Sequence, residues 1–148
     1  YMLGCTAAYT LPGDANDYVI DGAAGNDTLN GGLGNDTLIG GAGRDFFVFN
    51  SRLGTTNIDT VVGYNVADDT MRLENTGIFT ALTRTGTLAA TAFTIGTGAT
   101  TAAHRIVYNA SNGALLYDAD GTGAVAAVQF GTLQGVTGTL VSADFVVI

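Results

Sequence analysis

The chain has no lysine, no tryptophan, one proline, one cysteine and one histidine in 148 residues. Without lysine, five arginines are its only fixed cations, set against thirteen acids for a net charge of −8. Binding to a phosphate backbone needs a basic footprint, so a nucleic-acid partner is disfavoured. A lone Cys5 cannot form an internal disulfide, which removes the disulfide-scaffold class. Pro12 by itself is too little proline for collagen or polyproline II. No run approaches 18 apolar residues, so no segment reads as a membrane span. The first eleven residues lack the basic start of a secretory signal peptide. H-E-x-x-H, G-x-S-x-G and P-loop patterns are also missing. The chain is therefore read as a non-enzyme, with any catalytic activity expected in upstream sequence. Cys5 reads as incidental and His104 as a structural residue.

Two residue types are plentiful. Glycine occurs 22 times, about twice its usual share of roughly 7%. Twelve of the thirteen acids are Asp, with Glu74 the exception. Short carboxylates suit hard cations, although they also suit a merely solubilising surface. At 47% hydrophobic residues the chain has enough apolar material for a packed core in one domain.

Position separates these readings. Gly22-Ala23-Ala24-Gly25-Asn26-Asp27-Thr28-Leu29-Asn30 is followed by Gly31-Gly32-Leu33-Gly34-Asn35-Asp36-Thr37-Leu38-Ile39 and Gly40-Gly41-Ala42-Gly43-Arg44-Asp45-Phe46-Phe47-Val48. The period is nine without slippage. Positions one and four are Gly, position six is Asp, and position eight is large and apolar. An imperfect copy precedes them, Gly13-Asp14-Ala15-Asn16-Asp17-Tyr18-Val19-Ile20-Asp21, with its carboxylate Asp17 one place early. Nine residues suit six of turn and three of strand. Glycine lets the turn aim its carbonyls inward, the Asp adds a carboxylate, and position eight sends one apolar side chain into a shared interior. Successive nonads lie on opposite sides of a flattened coil, so turns two repeats apart stack. The gap between stacked turns is then an all-oxygen cage, which suits Ca²⁺ and not Zn²⁺.

This pattern resembles the parallel β-roll of RTX (repeats-in-toxin) proteins. The resemblance implies an all-β fold, a short right-handed parallel β-roll capped by antiparallel strands. It implies two to four Ca²⁺, with Asp27, Asp36 and Asp45 as carboxylate ligands and the carbonyls of Gly22, Ala23, Gly25, Gly31, Gly32, Gly34, Gly40, Gly41 and Gly43 as further donors. The Asp27 turn should stack on the Asp45 turn. Asp36 should face Asp17, or whatever follows Val48. Residues 59–73 also resemble the stretch after the roll in serralysin-like RTX proteases. On that resemblance Asp59 and Asp69 are ligands of a last site, while Gly63 stands where a second Asp belongs and weakens it. Turn-capping is the alternative for both.

The expected organisation is an irregular lead-in over residues 1–12, a roll over 13–48, and an antiparallel β cap over 49–148, packed as one unit. Strands are expected at 46–49, 59–64, 70–73, 104–108, 114–118 and 124–130, with a hairpin at Asp120-Gly121. Asp118 begins an EF-hand-like run, but its twelfth position is Gln129, so that reading fails. Residues 144–148 put one acid before four apolar residues. This resembles the C-terminal signal of type I secretion substrates; a last docked strand is the alternative. The family thus implies an extracellular, secreted calcium module that engages type I secretion machinery in transit and adjoins an upstream catalytic or adhesive domain. A polysaccharide- or surface-binding module, similar to epimerase R-modules, is the second reading. Five dispersed arginines argue against it.

Overall fold

A computed structural model describes residues 15–148 and the backbone of two short strands before them, β1 (Met2–Leu3) and β2 (Tyr9–Thr10). Cys5, Pro12, Gly13 and Asp14 lie outside the described residues, as does most of the expected lead-in.

The nonads fold as their spacing predicts. Each contributes three or four residues of strand: β3 (Val19–Asp21), β4 (Thr28–Asn30), β5 (Thr37–Ile39) and β6 (Phe46–Phe49). Two more strands follow, β7 (Asp59–Val62) and β8 (Thr70–Leu73). Odd strands stack in one sheet and even strands in the other, always parallel: β1 on β3, β3 on β5 and β5 on β7, against β2 on β4, β4 on β6 and β6 on β8. Side chains alternate across a strand, so the middle residue of each three faces inward and its neighbours face out. That is the position-eight column. Ile20, Leu38 and Val61 stack in register in one sheet, and Leu29, Phe47 and Met71 in the other, all fully buried.

Beyond the roll come β9 (Gly86–Thr87), β10 (Phe93–Ile95), β11 (Ile106–Asn109), β12 (Ala114–Tyr117), β13 (Val128–Gln134) and β14 (Phe145–Val147). The sheet orders are β1-β3-β5-β7-β13-β12-β11-β10 and β2-β4-β6-β8-β14-β9. Parallel stacking therefore does not stop at Val48. It runs on through β7 and β8, and then β13 lies parallel on β7 and β14 parallel on β8. Among the described strands, antiparallel pairing joins β11 with β12, β12 with β13 and β9 with β14. The inner columns extend accordingly, with Leu133 over Val61 and Phe145 over Met71. One core cluster runs from Ile20 to Val147. Its far end is closed by aromatic rings, Phe79 meeting Tyr117 at 5.1 Å and Phe130 at 5.0 Å between centroids. Among the described residues there is no α-helix, and no helix is long and apolar enough to cross a membrane.

Two local expectations shift. The strand expected at 124–130 starts at Val128, because residues 122–127 are exposed and have no sheet face to fill. Asp120-Gly121 does lie between two antiparallel strands, but in a ten-residue connection. There Asp118 Oδ1 accepts the N–H groups of Asp120 and Gly121 at 3.2 and 2.7 Å, an Asx turn.

Candidate metal centre

The turns between strands carry two columns of buried carboxylates. On one side the N–H of Asp27 donates to Asp45 Oδ1 at 2.9 Å, and the N–H of Asp45 to Asp69 Oδ1 at 3.1 Å. On the other side the N–H of Tyr18 donates to Asp36 Oδ1 at 2.8 Å, and the N–H of Asp36 to Asp59 Oδ1 at 3.1 Å. Each carboxylate thus reaches back to the same backbone position one coil earlier. The expected stacking of Asp27 on Asp45 is present. Asp36 faces both ways, toward the turn before Tyr18 and toward Asp59. Asp59 and Asp69 hold the sixth position of two turns that lack the repeat pattern.

Asp17 stands elsewhere. It is exposed, and its Oδ1 accepts the N–H of Asn35 at 2.7 Å. Asn26 and Asn35 do the same for Arg44 and Ile58, both at 2.9 Å. Asp17 therefore belongs to an outer ladder at position five, and Tyr18 takes position six in that coil. The displacement seen in the sequence changes which column the carboxylate joins.

The glycines have distinct reasons. A Cβ at Gly22, Gly31 or Gly40 would lie 2.8, 2.4 or 2.4 Å from Oδ2 of the Asp in its own repeat, so position one is left empty for that carboxylate. At position four, Gly43 has φ +134°, and a Cβ there would lie 1.8 Å from the Gly25 carbonyl oxygen. The same approach brings the Ala23 carbonyl within 2.0 Å of a Cβ on Gly41, and the Asn16 carbonyl within 2.5 Å of one on Gly34. Ala23 takes the positive φ of position two, at +67°, without glycine. Gly32 shares that position in the middle repeat. Lower-turn carbonyls thus face the turn above, where a bound cation would share them. Gly63, in place of a second Asp, adopts φ +76° and gives its N–H to the Gln134 carbonyl at 2.8 Å, a turn role in place of a charge.

Electrostatically the columns are unfavourable as they stand. Asp27, Asp36, Asp45, Asp59 and Asp69 are all buried. Both carboxylate oxygens of Asp27 and Oδ2 of Asp45 are buried without a hydrogen-bond partner among the described residues. Burial raises the Asp27 pKa, and the facing Asp45 charge raises it further. Asp59 is pushed up to about 7, first by burial and also by the Asp36 charge, against a lowering by the Asp36 N–H. Asp69 is raised by burial and by the charges of Asp45 and Asp68, partly offset by bonds from the Asn65 and Asp45 N–H groups. Orphaned carboxylate oxygens beside crowded carbonyls fit a cation that takes oxygen ligands only. No place among the described residues brings three carboxylate, imidazole or thiol side chains together. Carbonyls and water would supply the remaining ligands, as Ca²⁺ allows. His104 is remote from the turns in sequence, and its Nδ1 accepts the Thr100 N–H at 3.1 Å.

Two features lay outside sequence reasoning. Tyr64, fully buried, bridges the last coil to the chain end: its hydroxyl donates to the Asp69 carbonyl at 3.0 Å and reaches Asp144 Oδ1 at 3.3 Å. Asn57 sits buried beside Asp59. No signal in the linear pattern marks either, because both act through folded neighbours.

A family model described as the RTX calcium-binding nonapeptide repeat matches residues 13–47 in four copies. A search of curated proteins found no match. The fourth copy is the imperfect nonad that the structure stacks in register beneath Asp36. Sequence match and turn geometry agree, and residues 13–47 are RTX calcium-binding nonapeptide repeats.

Proposed function

We propose that this chain is a calcium-triggered folding module of a secreted protein: unfolded while it is exported by a type I route, and folded by Ca²⁺ outside the cell. The observation that carries this reading is the two columns of buried carboxylates, in one of which both oxygens of Asp27 and Oδ2 of Asp45 have no hydrogen-bond partner among the described residues. Without metal, like charges face each other in a partly desolvated setting, and glycine-rich turns lose much backbone freedom on ordering. A divalent cation reverses the sign of that local interaction and engages inward carbonyls. Metal that binds only the folded chain adds RT ln(1 + [L]/Kd) per site, about 2.7 kcal/mol at a hundredfold excess. Two such sites would match a large part of the roughly 5–15 kcal/mol stability of a small domain. Extracellular calcium modules bind with Kd around 10⁻⁴–10⁻³ M, so cytosolic calcium leaves such sites empty and millimolar calcium fills them.

The chain end supports the same reading. Residues 145–147 are strand β14, inserted between β8 and β9 with Phe145 fully buried. A signal made of these residues is legible only before folding, so calcium would both complete the fold and retire the signal. On this reading the chain itself carries no catalysis, and any enzymatic or adhesive activity belongs to a neighbouring domain. Circular dichroism and limited proteolysis in EGTA and then in millimolar Ca²⁺ test it. The expected result is a gain of β signal and of protease resistance across residues 15–148. Equal signal and equal resistance in both conditions would refute the switch.

A further inference from the structure

The segments that follow β8 surround a cavity of about 530 Å³ whose lining includes none of the calcium-turn residues. Its walls are the loop 83–87, the 3-10 turn Ala90–Ala92 and the approach to β11. Backbone bonds fix these walls. Gly86 and Thr87 pair with Val147 and Val146, Leu88 N–H donates to the Phe145 carbonyl at 2.9 Å, and Arg105 N–H donates to the Ala92 carbonyl at 2.8 Å. Three buried core residues, Leu82, Leu88 and Val147, give the cavity an apolar floor. Two of the five arginines, Arg84 and Arg105, also line it, and no acid does. They are far apart in the sequence, and only the fold brings them to one concavity. Arg105 is half-buried, and its Nη1 donates to the carbonyls of Ala102 and His104 at 2.7 and 2.8 Å. Those bonds fix the guanidinium and leave its other nitrogens without a protein partner among the described residues. Arg84 is exposed and makes no hydrogen bond or ion pair among the described residues. Arg44 differs, because it shares its cavity with Asp68, Asp69 and Asp144, which oppose its charge.

We propose that this cavity binds a small organic carboxylate, with its charged end held by Arg84 and Arg105 and its apolar body laid on Leu82, Leu88 and Val147. In a chain of net charge −8, two guanidiniums without an acid beside them reverse the local sign. A guanidinium is a planar fork that meets a carboxylate with two parallel hydrogen bonds. Small-molecule sites span roughly 300–1,000 Å³ and are mostly apolar, with a few polar groups that fix orientation. The floor and the two arginines have that division. Inorganic phosphate would engage the arginines and leave the floor uncovered. An uncharged apolar molecule would cover the floor and leave the guanidiniums unpaired. A carboxylate with an apolar body satisfies both. Arg105, anchored by two carbonyls, sets where the charge sits, and the exposed Arg84 closes on it from the loop. The inference is independent of the calcium reading, because the cavity lies outside the turns.

The test is a titration of the whole ¹⁵N-labelled chain in saturating Ca²⁺, followed by amide chemical shifts. The probes are octanoate and benzoate, which carry a carboxylate on a linear and on a ring body. Octanol supplies the body without the charge, and inorganic phosphate the charge without the body. Octanoate or benzoate is expected to shift the amides of residues 81–92 and 103–105 with a Kd on the order of 1 mM, and octanol and phosphate to bind more weakly. Arg84→Gln and Ala103→Glu change exposed residues of the lining, so the fold should persist, with circular dichroism as the control. Each should weaken carboxylate binding about threefold or more and leave octanol unchanged. Octanol binding as tightly as octanoate would show an apolar cleft and overturn the carboxylate assignment. Phosphate binding as tightly would show a plain oxyanion site and overturn the role of the floor. No shift with either carboxylate at millimolar concentration, or folded variants that bind like the parent, would overturn the proposal and leave the calcium reading untouched.

Discussion

Gly43 meets two separate demands, and they can be told apart from those on other glycines. Its φ of +134° lies where L side chains rarely go, and a Cβ would stand 1.8 Å from the Gly25 carbonyl oxygen. Gly54 has neither constraint: nothing lies within 4 Å of its Cβ position and its φ is not in the positive range. Gly43→Ala should therefore lose about 3 kcal/mol or more in millimolar Ca²⁺, while Gly54→Ala stays within about 0.5 kcal/mol of the parent. Thermal unfolding of both variants in Ca²⁺ checks the contrast, and equal melting temperatures would remove the close-approach argument. The same logic separates Asp17 from Asp36. Both are turn carboxylates in the sequence, yet one is exposed in an outer ladder and the other buried in the inner column.

At the scale of elements, the carboxylate columns set a pH dependence. Asp59 has a folded-state pKa of about 7, above its ordinary value of 3.8. Below 3.8 both folded and unfolded chains hold the proton, and the fold bears no charge penalty from this group. Between 3.8 and 7 the unfolded chain releases the proton first, so stability falls as pH rises, and above 7 the whole penalty is present. Asp27, Asp69 and Asp144 are raised too and act in the same direction. Glu74 is lowered by its Thr76 bonds, but it sits at the surface and opposes this only weakly. In EGTA the folded fraction followed by circular dichroism should therefore be larger at pH 4 than at pH 7.5, corresponding to a loss of stability on the order of a few kcal/mol across that range. In saturating Ca²⁺ the slope should flatten or reverse, because the ion competes with the proton for the same oxygens. A metal-free folded fraction that rises with pH across this range would contradict the burial of these charges.

At the scale of the molecule, the two sheets make the chain end part of the roll. Phe145 is buried at the end of the column that begins at Leu29, Val147 is buried in the next column over Leu73 and Phe49, and β14 separates β8 from β9. Removing residues 145–148 uncovers these columns. Burial of a Phe or Val side chain stabilises by roughly 1.5–3 kcal/mol each, so the truncated chain should lose about 3–6 kcal/mol. Its folding midpoint should move to higher Ca²⁺, as followed by circular dichroism across a calcium titration. An unchanged midpoint would mean that the roll folds independently of its cap. Tyr64 predicts the opposite, since its hydroxyl ties the Asp69 turn to Asp144.

The repeating part of this protein is legible in its amino acids because period and chemistry coincide there. Position eight had to be apolar to face its neighbours, position one had to lack a Cβ beside the carboxylate, and position six had to carry the charge. Leu29, Leu38 and Phe47, with Gly22, Gly31 and Gly40, declare those roles in linear order. Asp59 and Asp69 were recognisable only through resemblance, because they follow steps of fourteen and ten residues where the period is nine. The extra residues hide the coil from any pattern, yet backbone bonds from Asp36 and Asp45 restore the register in space. Only tertiary structure decided that β13 and β14 would extend the parallel columns and not merely cap them. Their partners lie some 70 residues earlier in the chain, and parallel pairing at that distance leaves no local signature. The burial of Asn57 and of Tyr64 belongs to the same class. Each is an ordinary polar residue in the sequence, and each takes its role from neighbours that only the closed roll brings within reach.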